Sequence, residues 1–188
     1  MLEPRQPTLF TDRLILRPLV ESDGPRVREL AGDEAIARNT LDIPHPYPEG
    51  VAEQWIAGQP ALFRQGKEIV FAITLRESGE LVGTIGLSSI SPRHSRSDIG
   101  WWVGRDYWNR GYCTEAARAL LDYAFGTLGL NRVYSSHYAR NPASGRVMQK
   151  LGMKPEGVKR RHVERWGEFN DLVLYGILRD EWPARQGA

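Results

Sequence analysis

The order of apolar and polar positions predicts several strands in the first half of the chain. Residues Ile69 to Leu75 combine β-branched and aromatic side chains, and a Gly-containing turn separates them from a second apolar run, Leu81 to Leu87. We therefore expect a β-hairpin here. Two further strands are predicted at Leu14–Arg17 and Asp98–Val103, and Gly100 inside the latter permits a bulge or the close approach of another backbone.

Helical spacing replaces this pattern later in the chain. Between Tyr112 and Leu128 apolar residues recur every three or four positions, which predicts an amphipathic helix. A strand is predicted at Arg132–Tyr138, and after it Asn141-Pro142 opens a helix with Asn as its N-cap. Because a helix joins the strands Asp98–Val103 and Arg132–Tyr138, we expect these strands to be parallel. With the hairpins, this predicts an α/β fold, a mixed sheet with helices on its faces.

Other elements complete the expected fold. A helix is predicted over Val51–Gln65, with an interruption at Pro60 and an apolar face made of Val51, Trp55, Ile56 and Leu62. Ser22 or Asp23 is expected to be the N-cap of an earlier helix. The last two strands are predicted at Val158–Arg165 and Phe169–Leu178.

Composition narrows the classes of protein to be considered. The 188 residues favour one domain, residues 1–188 with a core at about 11–182. A net charge of +2 is too balanced for a protein that binds nucleic acid through phosphate neutralisation, and no apolar run is long enough to span a membrane. One cysteine excludes a disulfide framework. Without a signal-like N-terminus, we expect a cytoplasmic protein.

Two strand-to-helix junctions carry the candidate chemistry. The first is Trp108–Thr114, where a helix N-terminus, Gly111 and nearby arginines favour a phosphate group. The second is Asn141-Pro142-Ala143-Ser144. Each also has a plain structural interpretation, as a turn and as a helix cap. Junctions that follow neighbouring parallel strands lie at the same edge of a sheet, where α/β folds bind ligands, and this favours a shared site.

The order of motifs along the chain resembles the GNAT superfamily of N-acetyltransferases. The similarity is carried by Thr11–Pro18, Ile99–Val103, Tyr107–Ala116, Asn141–Ser144 and Lys150–Met153, and it extends from Thr11 to Trp182. Within the superfamily, the chain is similar to the Rim-type branch, which includes the ribosomal-protein N-terminal acetyltransferases. Trp108 and Cys113 depart from the usual residues of the family's phosphate-binding loop.

The resemblance implies that acetyl-coenzyme A binds between the strands Asp98–Val103 and Arg132–Tyr138, which would splay apart. Unpaired backbone groups would then bind the pantetheine arm like an added strand, and the amides of residues 110–114 would bind the pyrophosphate. The residues expected to contact the cofactor are Trp102, Val103, Trp108, Asn109, Arg110, Gly111, Tyr112, Cys113, Thr114, Asn141 and Ser144.

The same resemblance implies direct attack of a primary amine on the thioester. A strand amide near Trp102 or Val103 would polarise the carbonyl, and Ser144 would assist departure of the sulfur while Asn141 fixes the cofactor arm. For the general base the sequence leaves Asp98, His137 and a water relay open. Cys113 is expected to be a packing residue, since no partner His is identifiable for it.

The acceptor is expected to enter over the early helices and the proline-rich segment Pro44–Pro48. His45, Tyr47 and Trp55 are candidates to bind it, although all three also fit as hydrophobic filling under the loop. The histidines have no metal-ligand spacing, so no metal is expected. The acceptor could be a protein N-terminus or a small molecule, and the protein a monomer or a homodimer. A coenzyme A-binding sensor without turnover, and a module for another nucleotide, remain as alternatives.

Overall fold

The computed structural model of the protein describes residues 5–183. Its strands are β1 (Leu9–Phe10), β2 (Leu14–Pro18), β3 (Ile69–Leu75), β4 (Leu81–Ser91), β5 (Arg96–Val103), β6 (Arg132–Tyr138), β7 (Lys154–Arg165) and β8 (Glu168–Leu178). Over the described residues they form one eight-stranded sheet in the order β1-β2-β3-β4-β5-β6-β8-β7. Neighbouring strands pair antiparallel except β5 and β6, which are parallel as expected.

Helices cover both faces of this sheet. They are α1 (Gly24–Ala31), α2 (Glu34–Ala37), α3 (Val51–Arg64), α4 (Tyr112–Asp122) and α5 (Pro142–Lys150). Side chains alternate along β3: Ile69, Phe71 and Ile73 pack in the core under α4 and α5, whereas Val70 and Ala72 pack in a second core with α1 and α3. The mixed sheet with helices on both faces is the predicted fold.

Helix α3 differs from its prediction in two ways. Pro60 is exposed and the helix continues through it to Arg64. The buried side is formed by Ala52, Ile56, Gln59 and Phe63. The predicted Val51 and Trp55 are only half-buried because they line a cavity, and Trp55 also packs against the edge of the second core.

Both predicted caps occupy N-cap positions without acting as side-chain caps. Asp23 precedes α1, but its carboxylate accepts hydrogen bonds of 2.7 and 2.8 Å from the guanidinium of Arg17. Asn141 precedes α5 and makes no side-chain cap hydrogen bond. The Asn141 amide therefore does not serve the helix, and its side chain is available to the site.

The parallel pair β5–β6 is joined only at its beginning. Pairing covers Arg96–Arg132, Ser97–Val133 and Asp98–Tyr134, and beyond that point the strands separate. The expected splay is therefore present. The irregularity in the β4–β5 ladder lies between Ser88 and Ser91, not at Gly100, which remains in regular register with Gly86. The bulge, one of the two features that Gly100 permits, is therefore not formed at this position.

Candidate functional site

A cavity of about 820 Å³ opens where β5 and β6 separate. On one side it reaches the N-termini of α4 and α5, and on the other it runs beneath the loop between α2 and α3. Its wall includes the backbone and side chains of Trp101, Trp102, Val103, Trp108, Asn109, Gly111, Tyr112, Cys113, Thr114, Asn141 and Ser144. Arg110 is absent from this lining, and its carbonyl accepts a hydrogen bond of 3.0 Å from Arg13.

Hydrogen-bond alternation along β5 decides which backbone groups face the gap. The N–H of Gly104 donates to Val82 on β4, so the backbone groups of the even-numbered residues point toward β4. The carbonyls of Ile99 and Val103 point the other way, since they accept from Ser135 and from the Trp108 indole. The backbones of Trp101 and Val103 therefore face the gap, and that of Trp102 does not. The strand's two-residue period would have pointed to Trp101, which the sequence analysis omitted.

The turn before α4 is shaped as a site for an anionic group. Asn109 and Gly111 adopt left-handed conformations, with φ of 60° and 81°, and Gly111 is the N-cap of α4. The free backbone N–H groups of the first helical turn thus point into the cavity end. The indole N–H of Trp108 donates to the Val103 carbonyl at 2.7 Å, which ties this turn to the end of β5. Trp108, which departs from the family pattern, therefore has a structural role in this turn.

The floor of the cavity on the α1–α3 side is made of small residues. Asp98, Gly100 and Trp102 share one face of β5, because Trp102 packs against the α1–α3 core. Gly100 lies opposite Gly86 on β4, and a Cβ at Gly100 would contact no atom within 4 Å. Gly100 therefore leaves open space on the same face as Asp98, whereas a Cβ at Gly86 would lie only 2.8 Å from the carbonyl oxygen of Ile69.

Asp98 carries the most perturbed carboxyl group of this site. Burial raises the pKa of Asp98 from its ordinary 3.8 to about 6. Within residues 5–183 no hydrogen-bond donor is assigned to its carboxylate, which lines the cavity at the last rung of the β5–β6 ladder. Glu68 lines the same cavity, and burial also raises the pKa of Glu68. Sequence reasoning missed Glu68 because it lies outside any motif.

His137 lines the cavity but packs on the opposite side of the sheet from Asp98. Its Nδ1 lies 2.8 Å from the carbonyl oxygen of Tyr138, and its ring is 5.8 Å from that of Tyr175. A Cβ on Gly145 of α5 would lie only 2.6 Å from its Nε2. Both ring nitrogens are therefore engaged or covered, and the geometry favours Asp98 over His137 as a proton acceptor.

The second junction brings two polar side chains to the cavity. Asn141 and Ser144 both line it, in the N-cap and first turn of α5. Ser144 is half-buried, and within the described part of the chain no hydrogen bond is assigned to its hydroxyl. The two junctions thus meet at one cavity, as their placement after neighbouring strands led us to expect.

The family comparison decides the class of the protein. A model of the acetyltransferase (GNAT) domain matches residues 13–154, which include β5, α4 and α5. The chain belongs to the GNAT family. The GNAT fold and acyl transfer expected from the sequence are thereby confirmed at the level of the family.

Relatives of this GNAT protein include enzymes of the Rim type. It is 30% identical to the uncharacterized N-acetyltransferase YoaA of Bacillus subtilis, over 92% of this chain and 97% of YoaA. It is 24% identical to the ribosomal protein uS5-alanine N-acetyltransferase of Escherichia coli, over 94% of both chains. A GNAT acetyltransferase structure from Bacillus anthracis superposes with a TM-score of 0.82 at 27% identity, over 93% of this chain and 99% of that one. The predicted Rim-type resemblance is confirmed by such matches.

The predicted acceptor residues divide between the cavity and its outside. Tyr47 and Trp55 line the α1–α3 side of the GNAT cavity, and burial raises the pKa of Tyr47. His45 does not line the cavity: its Nδ1 lies 3.0 Å from the carbonyl oxygen of Gly32, and its ring packs 5.8 Å from Trp166. Direct substrate contact by His45 is therefore not supported, since its ring faces Gly32 and Trp166 and not the cavity.

The remaining expectations concern the thiol, metals and membranes. Burial raises the pKa of Cys113 to about 12, which keeps the thiol protonated and fits a packing role. Among residues 5–183 no group of three or more His, Cys, Asp or Glu side chains is arranged to hold a metal ion. Of the helices in that same range, none has the length and apolar character to cross a membrane.

Proposed function

We propose that this GNAT protein transfers an acetyl group from acetyl-coenzyme A to a primary amine by direct attack on the thioester. One observation carries the proposal: the cavity joins the open edge of β5 beyond Asp98 to the N-terminus of α4. An edge with unpaired N–H and C=O groups suits the two amides of a pantetheine arm, and a helix N-terminus suits its pyrophosphate.

The chain offers a complete set of groups for the coenzyme. The backbone of Trp101 would bind the pantetheine arm, since it faces the gap, and the N–H of Val103 would remain for the thioester because its carbonyl already accepts from the Trp108 indole. The amides that follow Gly111 would bind the pyrophosphate, and Asn141 would bind the arm from the opposite wall. The proposed fit uses mainly backbone groups, so it does not depend on the family's usual side chains at Trp108 and Cys113.

Bound acetyl-coenzyme A would supply the activated acyl group, and three groups of this chain would manage its transfer. Asp98, largely ionised at neutral pH with its raised pKa, would take the proton from the attacking amine. The N–H of Val103 would donate to the thioester carbonyl oxygen. Ser144 would donate to the departing sulfur, whose thiol has a pKa of about 8.5. No covalent link to the protein is needed.

The acceptor is proposed to be a protein N-terminus or a small-molecule amine, entering from the side of Tyr47 and Trp55. Support for the first comes from the relatives, of which one acetylates an alanine of a ribosomal protein by its name. Support for any amine comes from the cavity itself, where the carboxyls of Glu68 and Asp98 favour a cationic group.

The test combines calorimetry with two variants. Acetyl-coenzyme A is expected to bind in the micromolar range, and coenzyme A thiol to be released when an amine panel is added. Ser144→Ala should lower kcat by about 10²-fold, as loss of an acid does, with unchanged coenzyme affinity. Asn141→Ala should weaken the affinity itself. Absence of binding at millimolar acetyl-coenzyme A would reject the proposal, and binding without thiol release would favour a sensor.

A further inference from the structure

The loop between α2 and α3, residues Arg38–Gly50, forms the acceptor-side wall of the cavity. Thr40, Asp42, Ile43 and Tyr47 line the cavity from this loop. The loop has little hydrogen bonding of its own. Within residues 5–183, no backbone N–H from position 41 to position 50 donates to another backbone group. Its shape must therefore come from contacts with other parts of the chain.

Side chains from the far end of the sheet provide those contacts. Arg165, the last residue of β7, donates from Nη1 to the carbonyl of Leu41 at 3.1 Å and from Nη2 to that of Ala37 at 3.0 Å. Its Nη2 also donates to the carbonyl of Ile43. One guanidinium thus holds three carbonyls at the end of α2 and in the first part of the loop.

Neighbouring residues add to this attachment. Arg140 donates to the carbonyl of Arg38 at 2.5 Å, and the hydroxyl of Tyr138 donates to the backbone carbonyl of Thr40 at 3.5 Å. Arg140 also reaches Glu168 on β8, at 3.3 Å. These bonds are separate from Arg165, so its loss would loosen the loop at Leu41 and Ile43 without detaching the whole of it.

Trp166 holds the guanidinium in place. Its ring lies 4.9 Å from the guanidinium carbon of Arg165 and 5.5 Å from that of Arg38, and it also packs near His45. Trp166 has φ of 54° and is followed by Gly167 at 78°, in the two-residue turn between β7 and β8. A left-handed tryptophan costs about 1–2 kcal/mol. Trp166 contacts Arg38 at the start of the loop and His45 in its middle from this conformation.

The environment of Arg165 points to a fixed position. Its Nε is buried without a hydrogen-bond partner, and within the described residues no carboxylate forms an ion pair with it. This half-buried guanidinium is retained by carbonyls and one aromatic ring. Lysine lacks the planar fork that reaches several acceptors at once.

We propose that Arg165 is a positioning residue: through its donor fork it fixes the loop Arg38–Gly50 and so determines which amines fit the acceptor side of the cavity. The inference rests on the proposed function for its link to amines. Its structural part, the fixing of the loop, does not depend on acetyl transfer.

Three variants of the full chain test the proposal. Arg165→Met removes the fork and keeps the length of the side chain, and Arg165→Lys keeps the charge alone. Arg160→Met is the matched control, since Arg160 is exposed on the same strand and, within residues 5–183, no hydrogen bond or ion pair to the loop is assigned to it. Cleavage of the Leu41–Asp42 bond by an Asp-specific protease reports on the loop, and calorimetry with coenzyme A reports on the rest of the site.

Loss of the fork is expected to speed that cleavage and to raise the KM of an acceptor amine about tenfold, the effect of one lost charged hydrogen bond. Coenzyme A affinity should change less than twofold, and the control should match the wild type. Arg165→Lys should behave as Arg165→Met, and it carries the test alone if the methionine variant does not fold.

The proposal would be overturned if both Arg165 variants had the wild-type cleavage rate and acceptor KM. It would also be overturned if Arg165→Lys restored both quantities to the wild-type values. An equal loss of coenzyme A affinity, which indicates general damage, would overturn it as well. If no amine is acetylated by the wild type, the proposed function fails, while the cleavage experiment still decides whether Arg165 fixes the loop.

Discussion

The hydroxyl of Ser135 on β6 donates a buried hydrogen bond of 2.7 Å to the carbonyl oxygen of Ile99 on β5. This bond lies just beyond Asp98 and Tyr134, the last pair of the parallel ladder. In a continued ladder the Ile99 carbonyl would accept from a backbone N–H of β6. A side chain has taken that place, so the strands remain attached at the point where they begin to separate.

Removal of this hydroxyl should therefore weaken the fold at the gap. Ser135→Ala leaves a buried carbonyl without its donor, which is expected to cost about 1–3 kcal/mol of unfolding free energy. Urea denaturation measures the loss. Ser136→Ala, at a half-buried neighbour on the same strand, should cost less than about 0.5 kcal/mol. Equal midpoints for the two variants would mean that the Ser135 bond does not hold the strands.

The parallel pair was predictable from the sequence and the gap was implied by the family resemblance, while the attachment by Ser135 was not predicted. The strands Ile69–Leu75 and Arg132–Tyr138 have the predicted bounds, because each is a run of strand-forming residues ended by turn signals. The parallel pair then follows from the helix between two strands. Which side chain would complete the ladder depends on the register of β5 against β6, and no local pattern encodes that.

The sequence pattern also did not predict elements that are too short to show a repeating strand or helix pattern. β1 has two residues and α2 has four, fewer than one repeat of the helix pattern, so both form only because the surrounding chain supports them. The position of His45 also depends on distant parts of the chain. Its ring packs against Trp166, more than a hundred residues later in the chain, and only the tertiary fold brings the two together.

The raised pKa of Asp98 gives the activity a pH dependence. The amine transfer needs the carboxylate form, so kcat/KM should fall as the pH drops below about 6, the pKa that burial gives this group. Asp98→Asn should abolish this limb and lower kcat by about 10²-fold or more. His137→Gln, at a ring engaged with Tyr138, is the control and should keep the limb. Rates across pH 5–8 distinguish the two.

Asp98→Asn, which should lower the activity, should raise the stability of the folded protein. The folded-state pKa of Asp98 lies above the ordinary 3.8, so folding takes up a proton between about pH 4 and pH 6. The stability given by the neutral carboxyl is present below that window and is lost as the pH rises through it. Asp98→Asn should therefore raise Tm at pH 7 and have little effect at pH 4. A lower Tm at pH 7 would show that the carboxylate is stabilising.

Gly111 tests the contribution of the turn before α4. Its φ of 81° is costly for other residues, whereas a Cβ would meet only Arg13, at an ordinary 3.4 Å. The effect of Gly111→Ala is thus confined to the backbone. We expect a loss of about 1 kcal/mol in unfolding free energy, together with weaker binding of coenzyme A, as the free amides of α4 are displaced.

Gly58 provides a glycine-to-alanine control elsewhere in the chain. It lies inside α3, and a Cβ there would contact nothing within 4 Å. Gly58→Ala should stabilise the protein by about 0.5–1 kcal/mol through helix propensity and leave coenzyme A affinity unchanged. Thermal unfolding and isothermal titration measure both quantities for each variant. If Gly111→Ala bound coenzyme A as tightly as Gly58→Ala, the helix N-terminus would have no part in holding the pyrophosphate.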